Sequence, residues 1–457
     1  MKGLLLVFIT IFFSACSFDN KTGIWKDASN IPVENKNSKS ISKNLPSTRY
    51  EELFSKNQTF NKEVELLEAS NIEIDEALRI ANWVEQYGIP TNNISNFFYG
   101  GNNTLLSKSS KLTRSLSDKK SFYKKILFYK NNLISYDHKG RIFIYSLDLN
   151  KKVFEYNFYK KNFKNFSKEI NFLINEDVLY ISDNLGYLYA LNLDTKSIIW
   201  AKNYGIPFRS NLKFANKEIF LANQDNVIYA IDSVTGNKKW QFSTSVTFLK
   251  SDFENNLALD LINKNVIFLN TSGELYSINF ESQKINWVLN FKNPSLVGDT
   301  ELFLSQPLII KNNDLIISTE KSLLNYNITA GSRNWIFLSE PIFKPIITSN
   351  FTYAILKNNL LICLNNKSGK IIWSKNIFNK VEYKKIQKKL GIIKDFKIVN
   401  SKINIYFENG YLLTFSPRDG EYSSLTRISK KGINSKIIFL DDKMLFIDNS
   451  NKLLKFN

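Results

Sequence analysis

Between Gly186 and Trp200 the chain reads GYLYALNLDTKSIIW, and variants of this stretch return at intervals that leave few folds open. NVIYAIDSVTGNKKW ends at Trp240, GELYSINFESQKINW at Trp287, KSLLNYNITAGSRNW at Trp335 and NNLLICLNNKSGKIIW at Trp373, so successive tryptophans lie 40, 47, 48 and 38 residues apart. Two weaker copies flank them: GRIFIYSLDLNKKVF, with Phe154 in the tryptophan slot, and GYLLTFSPRDGEYSS, with Ser424 there. The terminal NKLLKFN is the opening strand of one more unit, which brings the count to eight. Strand-patterned repeats of this period stack as the blades of a propeller.

Each copy reads as two strands joined by a tight turn, the third and fourth strands of a four-stranded blade. Tyr187, Tyr189 and Leu191 alternate with Leu188 and Ala190, and both faces are apolar, as a blade between two neighbours requires. Gly236, Gly331, Gly369 and Gly420 share one turn position, where a left-handed backbone suits glycine or asparagine, and the tryptophan slot lies four residues further on. A buried Trp removes roughly 150 to 250 Å² from water, so Trp200, Trp240, Trp287, Trp335 and Trp373 are expected to dock one blade on the next. A ligand platform would need one such Trp and not five in register. The expected fold is an all-β, eight-bladed propeller of four-stranded antiparallel blades. NKLLKFN cannot form a blade alone, so a strand from the N-terminal side, placed near Leu112 to Leu116, is expected to close the ring.

Upstream, Met1 to Ala15 carries Lys2, an apolar run from Leu4 to Phe13 and then Ser14-Ala15-Cys16. This is a secretory signal too short to span a bilayer, and its end resembles a bacterial lipobox in which Cys16 becomes the lipidated N-terminus. Phe13 departs from that pattern, and Ser17 resembles the outer-membrane sorting signal of enteric bacteria. A plain secretory signal with an incidental cysteine is the alternative. Residues 16–80, rich in Asn, Lys, Ser and Glu, read as a tether, with the period of 61–80 undecided. The propeller is expected over 81–457, opening on NWVEQYGIPTNN from Asn82 and followed by Gly100-Gly101.

Composition narrows the chemistry. About 355 residues from 102 onward give roughly 44 per blade, so one propeller accounts for them. His138 is the only histidine, which excludes His-cluster metal sites and argues against a hydrolase triad. With Cys16 committed to the anchor, Cys363 has no disulfide partner and is expected to pack as a small hydrophobe. The net charge of +19 is spread over all segments without a stripe, which argues against nucleic acid. Lys380 to Lys397 is the densest basic stretch and reads as an insertion, either solvated or facing anionic headgroups or an acidic partner.

The repeat, G-x-[LIV]-[YF]-x-[LI]-[DN]-x-x-[TS]-G-x-x-x-W, resembles that of pyrroloquinoline-quinone-type propellers. Two functional classes share it: quinoprotein dehydrogenases and the BamB family of outer-membrane assembly lipoproteins. Together with the lipobox, the Trp83 to Gly88 signature and the eight units, the resemblance is to the BamB family over nearly all of the mature chain. It implies a non-catalytic scaffold without cofactor, lipid-anchored at the periplasmic face of the outer membrane and a monomer within a complex. Its partners would be the periplasmic domains of the barrel insertase and unfolded outer-membrane protein clients. The family's partner loop maps onto Gly205 to Arg209, with Ile206 and Phe208 as apolar contacts and Arg209 as the polar one; packing at a blade corner is the other reading of Phe208. A second, acidic family loop maps onto Glu254-Asn255-Asn256, where Asn256 replaces an acid. The alternative, a quinoprotein dehydrogenase, implies a calcium site, a catalytic Asp and adjacent cysteines. No Cys-Cys pair occurs, and Asp194, Asp232 and Asp419 fall at blade turns, where Asp is ordinary.

Overall fold

Alternating apolar stretches of five or six residues, punctuated by Asn, Asp and Gly, build one meander after another around a ring. The computed structural model describes the backbone of residues 16–18, 25–27 and 49–50, and residues 59–66, 72–112, 125–137, 139–159, 163, 165–245, 256–291, 303–379 and 388–457 in full. Two units are distinguished, 1–45 and 46–457. In the first, Cys16–Phe18 pairs antiparallel with Trp25–Asp27. The second is an eight-bladed propeller of four-stranded antiparallel sheets.

Blade 2 shows the plan: Ile170–Asn175, Val178–Asp183, Tyr187–Asn192 and Ile198–Asn203 follow in spatial order from the axis outward. The innermost strands of the others begin at Leu127 (blade 1), Lys213 (blade 3), Leu257 (blade 4), Ile309 (blade 5), Ile346 (blade 6), Ile393 (blade 7) and Ile438 (blade 8). Blade 4 gains a short parallel strand, Arg49–Tyr50, on its outer edge. Blade 8 takes three strands from the C-terminus and its outermost, Leu105–Lys111, from the N-terminal side, paired antiparallel to Lys452–Phe456 through two bulges. The closing strand thus lies just before the expected Leu112 to Leu116. Leu112 itself only caps the strand end through its N–H to Asn451 O, and 113–116 lie outside the described residues. The alternation of SKSSK is too polar to mark an edge strand from sequence.

The repeated tryptophans dock between blades. Trp200 donates its indole N–H to Ser233 O at 3.0 Å, Trp287 to Ile328 O at 2.8 Å, Trp335 to Asn366 O at 2.6 Å and Trp373 to Pro417 O at 3.2 Å, each acceptor lying in the outer hairpin turn of the next blade. The turn glycine lies flat on the ring: a Cβ at Gly236 would sit 2.5 Å from Trp200, and one at Gly369 2.5 Å from Trp335. Small side chains lie opposite the tryptophans across the hairpin, Ala190, Ala230, Ser277 and Cys363 among them. That accounts for Cys363, which is fully buried and whose thiol burial pushes well up. Trp240 departs from the rule. The facing turn of blade 4 has Gln283 in place of glycine, at φ 57°, and among the described residues the Trp240 Nε1 has no acceptor. Trp240→Phe is therefore expected to leave the thermal midpoint nearly unchanged, whereas Trp335→Phe removes the shorter of two bonds to Asn366 O, the other coming from Asn325 Nδ2 at 3.2 Å, and costs about 1 kcal/mol in urea unfolding.

A second regularity was not read from the sequence. The residue that ends the second strand or directly follows it, Asp137, Asp183, Asn223, Asn270 or Asp448, accepts backbone N–H groups from two and four residues later and so shapes the following turn. In the outer turns Asp232 accepts from the N–H groups two and three residues later and Asp419 from the one two residues later, as expected for turn chemistry.

The N-terminal side of the ring is closer to the propeller than a tether would be. Val64 pairs with Ser374 on the outer strand of blade 6, Ile72 is buried, and Asp75 bonds Lys311 at 2.7 Å. Residues 59–66 and 72–80 are therefore part of the packed body, and neither described stretch is helical. Residues 80–99 then pass along the axis and touch all eight blades. Trp83 exchanges backbone bonds with Phe128 of blade 1, and Val84 O accepts from Ile174 of blade 2. Pro90 O and Thr91 O accept from Leu259 and Ile310 of blades 4 and 5. Asn92 donates to Leu257 O and Leu308 O, Asn93 to Ile347 O of blade 6, while Phe97 bonds blade 7 and Ile80 O accepts from Asp441 of blade 8. Blade 3 joins through Lys213, fully buried, which donates to Glu85 at 3.0 Å and to Asn92.

Candidate functional site

The loop after Trp200 is shaped by the glycine that opens the repeat. Gly186, at φ 87°, lies against the Ile206 backbone, where a Cβ would come within 2.9 Å. Tyr204 N–H bonds Gly186 O, Phe208 N–H bonds Asp183 O and Gln224 N–H bonds Pro207 O, so the loop is pinned between blades 2 and 3. Within it, Ile206 is half-buried and Phe208 is 1% exposed, with its ring edge-on to Tyr204 and Tyr229. Phe208 thus packs at a blade corner, the second of the two readings the sequence allowed, and has no face to offer a partner. Arg209 is half-buried, its Nη1 3.0 Å from Glu169 Oε2. Asn256 is buried, with its carbonyl accepting from Leu269 N–H, and so also lies inside; Glu254 lies outside the described residues, as does His138.

The loop that leads to Glu169, the partner of Arg209, holds two further residues of note. Phe163 and Phe166 are 40% and 61% exposed, with rings edge-on at 6.1 Å, and Phe163 also meets Tyr187. They are held from beneath by Lys168, buried, which donates to Phe163 O and Phe166 O and lies over the Tyr159 ring. Burial lowers the Lys168 pKa, with Asp183 opposing. The signal in the sequence was NFKNF, two aromatics three apart in a polar loop. The loop thus carries two exposed rings, tied down through their carbonyls, and Phe166 stands three residues before the Glu169 that pairs with Arg209; aromatics and arginine are residue types that dominate interface energetics.

A second site lies on the axis, a cavity of about 270 Å³ between the 80–99 segment and blades 5 to 8. Trp83, Tyr87 and Phe97 form its aromatic side, and Lys344, Lys394, Lys397 and Lys436 enter from the blades. This corrects the basic insertion: Lys394 and Lys397 belong to the innermost strand of blade 7, Ile393–Val399, and 380–387 lie outside the described residues. Asp395, the one carboxylate lining the cavity among the described residues, is bonded to Lys397 at 3.2 Å and accepts from Ile437 N–H at 2.8 Å. Such a donor set does not fit calcium, which takes six to eight oxygens, and among the described residues no group of three His, Cys, Asp or Glu is placed to hold a metal.

Comparison with known proteins follows the same outline. Residues 148–375 match the family model described as outer membrane protein assembly factor BamB. Outer membrane protein assembly factor BamB of Yersinia pestis is 20% identical over 264 residues, covering 53% of this chain and 62% of that relative. The match therefore spans less than two thirds of the relative's length. Among solved structures, BamB from Moraxella catarrhalis aligns with a TM-score of 0.59 at 13% identity, over 78% of this chain and 99% of that one. Quinohemoprotein alcohol dehydrogenase from Comamonas testosteroni aligns at 0.58 and 9% identity, over 83% and 81%. Both likenesses speak to the fold. No described helix is long and apolar enough to cross a membrane.

Proposed function

From a chain that carries the PQQ-like propeller domain of the BamB family, we propose a non-catalytic scaffold for the assembly of outer-membrane β-barrel proteins. It binds the periplasmic domains of the insertase, presents unfolded clients to it, and is held at the periplasmic face of the outer membrane by lipid on Cys16. The observation that carries this reading is the loop of Phe163 and Phe166 with the Glu169–Arg209 pair, which falls inside the matched residues 148–375. Exposed aromatics tied down in the loop that leads to this pair offer a pre-ordered interface, which loses less entropy on binding. The dehydrogenase reading rests on fold likeness, and fold does not carry chemistry.

Affinity purification of the lipidated protein from membranes tests the proposal, with co-recovery of the insertase as the expected result. Phe166→Asp should lower that recovery at least about tenfold while leaving stability within about 0.5 kcal/mol, since the ring is exposed. Arg209→Glu faces Glu169 and is expected to cost about 1 kcal/mol as well as recovery. The swapped pair Arg209→Glu with Glu169→Arg restores the bridge; if recovery returned with it, Arg209 would be structural and the interface placed elsewhere. Quinone-dependent dye reduction by the purified protein would support the enzyme instead.

A further inference from the structure

The seam between blades 7 and 8 carries a hollow of about 480 Å³ in which, among the described residues, every charged side chain is a cation. Lys389 lines it from just before the innermost strand of blade 7, Arg427 from the end of that blade's outermost strand, and Lys430 and Lys431 from the loop that follows. Positive charge is plentiful in this chain, but at many points of the ring it is matched: Lys152 pairs with Glu155, Lys239 with Glu218 and Lys264 with Glu281. Here no described carboxylate lines the hollow or pairs with any of the four. Glu408, the neighbour of Asn409 in the lining, is paired with Lys394 at 3.5 Å.

Backbone, not counter-charge, holds these cations in place. Ile428 N–H and Ser429 N–H both bond Gly410 O, Ile433 N–H bonds Glu408 O, and Arg427 Nη2 donates to Lys430 O at 3.3 Å, so the loop is fixed on both sides of its lysines. Asn409 Nδ2 donates to Lys389 O at 2.9 Å and ties that residue to the same blade. Gly432, at φ 79°, brings the two blades together: a Cβ there would lie 2.4 Å from Asn449 Nδ2 and 2.4 Å from Glu408 O. Arg427 and Lys389 stand 5.2 and 5.9 Å from the centre of the Tyr411 ring, an aromatic face that orients cations without neutralising them. Ile392, three residues after Lys389, is 62% exposed and adds an aliphatic side chain beside the positive charge.

We propose that this seam docks the ring on an anionic lipid surface, with Lys389, Arg427, Lys430 and Lys431 receiving phosphoryl headgroups. Guanidinium and ammonium groups are the side chains that take phosphate oxygens, and near an anionic membrane each such charge multiplies affinity about fivefold. An exposed aliphatic beside clustered cations is the composition of an interfacial contact. An extended polypeptide would need pockets for its side chains, and the one ring in the hollow is already occupied by Arg427 and Lys389. The inference stands apart from the insertase: it gives the ring a hold on lipid through its own surface.

Sedimentation with vesicles is the test, using the full-length chain with Cys16→Ser so that no acyl chain contributes. Partition into phosphatidylcholine vesicles that contain phosphatidylglycerol should exceed that into phosphatidylcholine alone at least about tenfold. Lys389→Gln with Lys431→Gln should lower it at least about tenfold without moving the thermal midpoint. Lys196→Gln with Lys217→Gln, which removes two equally exposed lysines of blades 2 and 3, should leave it nearly unchanged. Inorganic phosphate should release the unmodified surface from the vesicles more than sodium chloride of equal ionic strength, a readout free of any lysine substitution. The assignment falls if the two vesicles bind alike, if both lysine pairs lower partition equally, or if the two salts release equally, since net charge and screening would then suffice. It falls as well if inorganic phosphate or polyglutamate is bound while both vesicles are ignored, since the site would then belong to a free ion or an acidic polypeptide.

Discussion

Lys213→Met is expected to unfold at much lower urea than the unmodified chain, with about 3 to 5 kcal/mol lost. The reason is Glu85. Both side chains are removed from water, 0% and 3% exposed, and each is the other's counter-charge. Burial lowers the Lys213 pKa and raises that of Glu85, with the partner's charge opposing in each case. Taking the ammonium away leaves a carboxylate buried among apolar strands, able to relieve itself only by binding a proton. The loss should therefore shrink as pH falls, because the folded variant then holds a proton that the unfolded chain takes up only nearer its ordinary value of 4.5. Adding Glu85→Leu to Lys213→Met should recover most of the stability, as buried pairs replaced whole are often neutral. A double variant as unstable as the single one would mean that Lys213 acts through Asn92 and not through its charge.

Trp287→Ala is expected to cost about 3 to 5 kcal/mol. Its ring is 8% exposed, lies in the core shared by blades 4 and 5, and donates to Ile328 O. Gly331 presses on the same ring at φ 62°, where a Cβ would come within 2.6 Å. Gly331→Val should accordingly approach the same cost by pushing the ring out instead of removing it. Denaturant midpoints with unchanged slopes are the measure, and a neutral Trp287→Ala would end the account of the tryptophans as blade docks.

The repeat was legible because its determinants are local. A glycine, a turn and an aromatic four residues on are contiguous in sequence, and Gly236, Gly331, Gly369 and Gly420 do take positive φ at that turn. Lys196 and Gln283 take it too, at the same position and without glycine, so the conformation belongs to the hairpin and glycine only eases it. The axial segment was not legible. Asn92 and Asn93 act through side-chain amides reaching strands more than 160 residues away, and no periodicity marks such contacts. Lys394 and Lys397 were hidden by company, since in a chain with 61 Lys and Arg a basic inner strand looks like a basic loop. Phe208 shows the converse difficulty: an apolar residue in a loop reads as an anchor or as a corner with equal ease, and only the rings of Tyr204 and Tyr229 decide between them.

The strand Leu105–Lys111 and the segment 80–99 precede every blade in the chain, yet one is completed by the last strand and the other by all eight blades. Synthesis therefore delivers the core of the axle before the wheel. Until Lys452–Phe456 is made, the outermost strand of blade 8 has no neighbour, and the ring stays open however well the earlier blades have formed. Contacts of such sequence separation make closure slow, and an unpaired edge invites other strands in the interval. A chain waiting in that state is itself a client for chaperones, a vulnerability set by the order in which its residues are born.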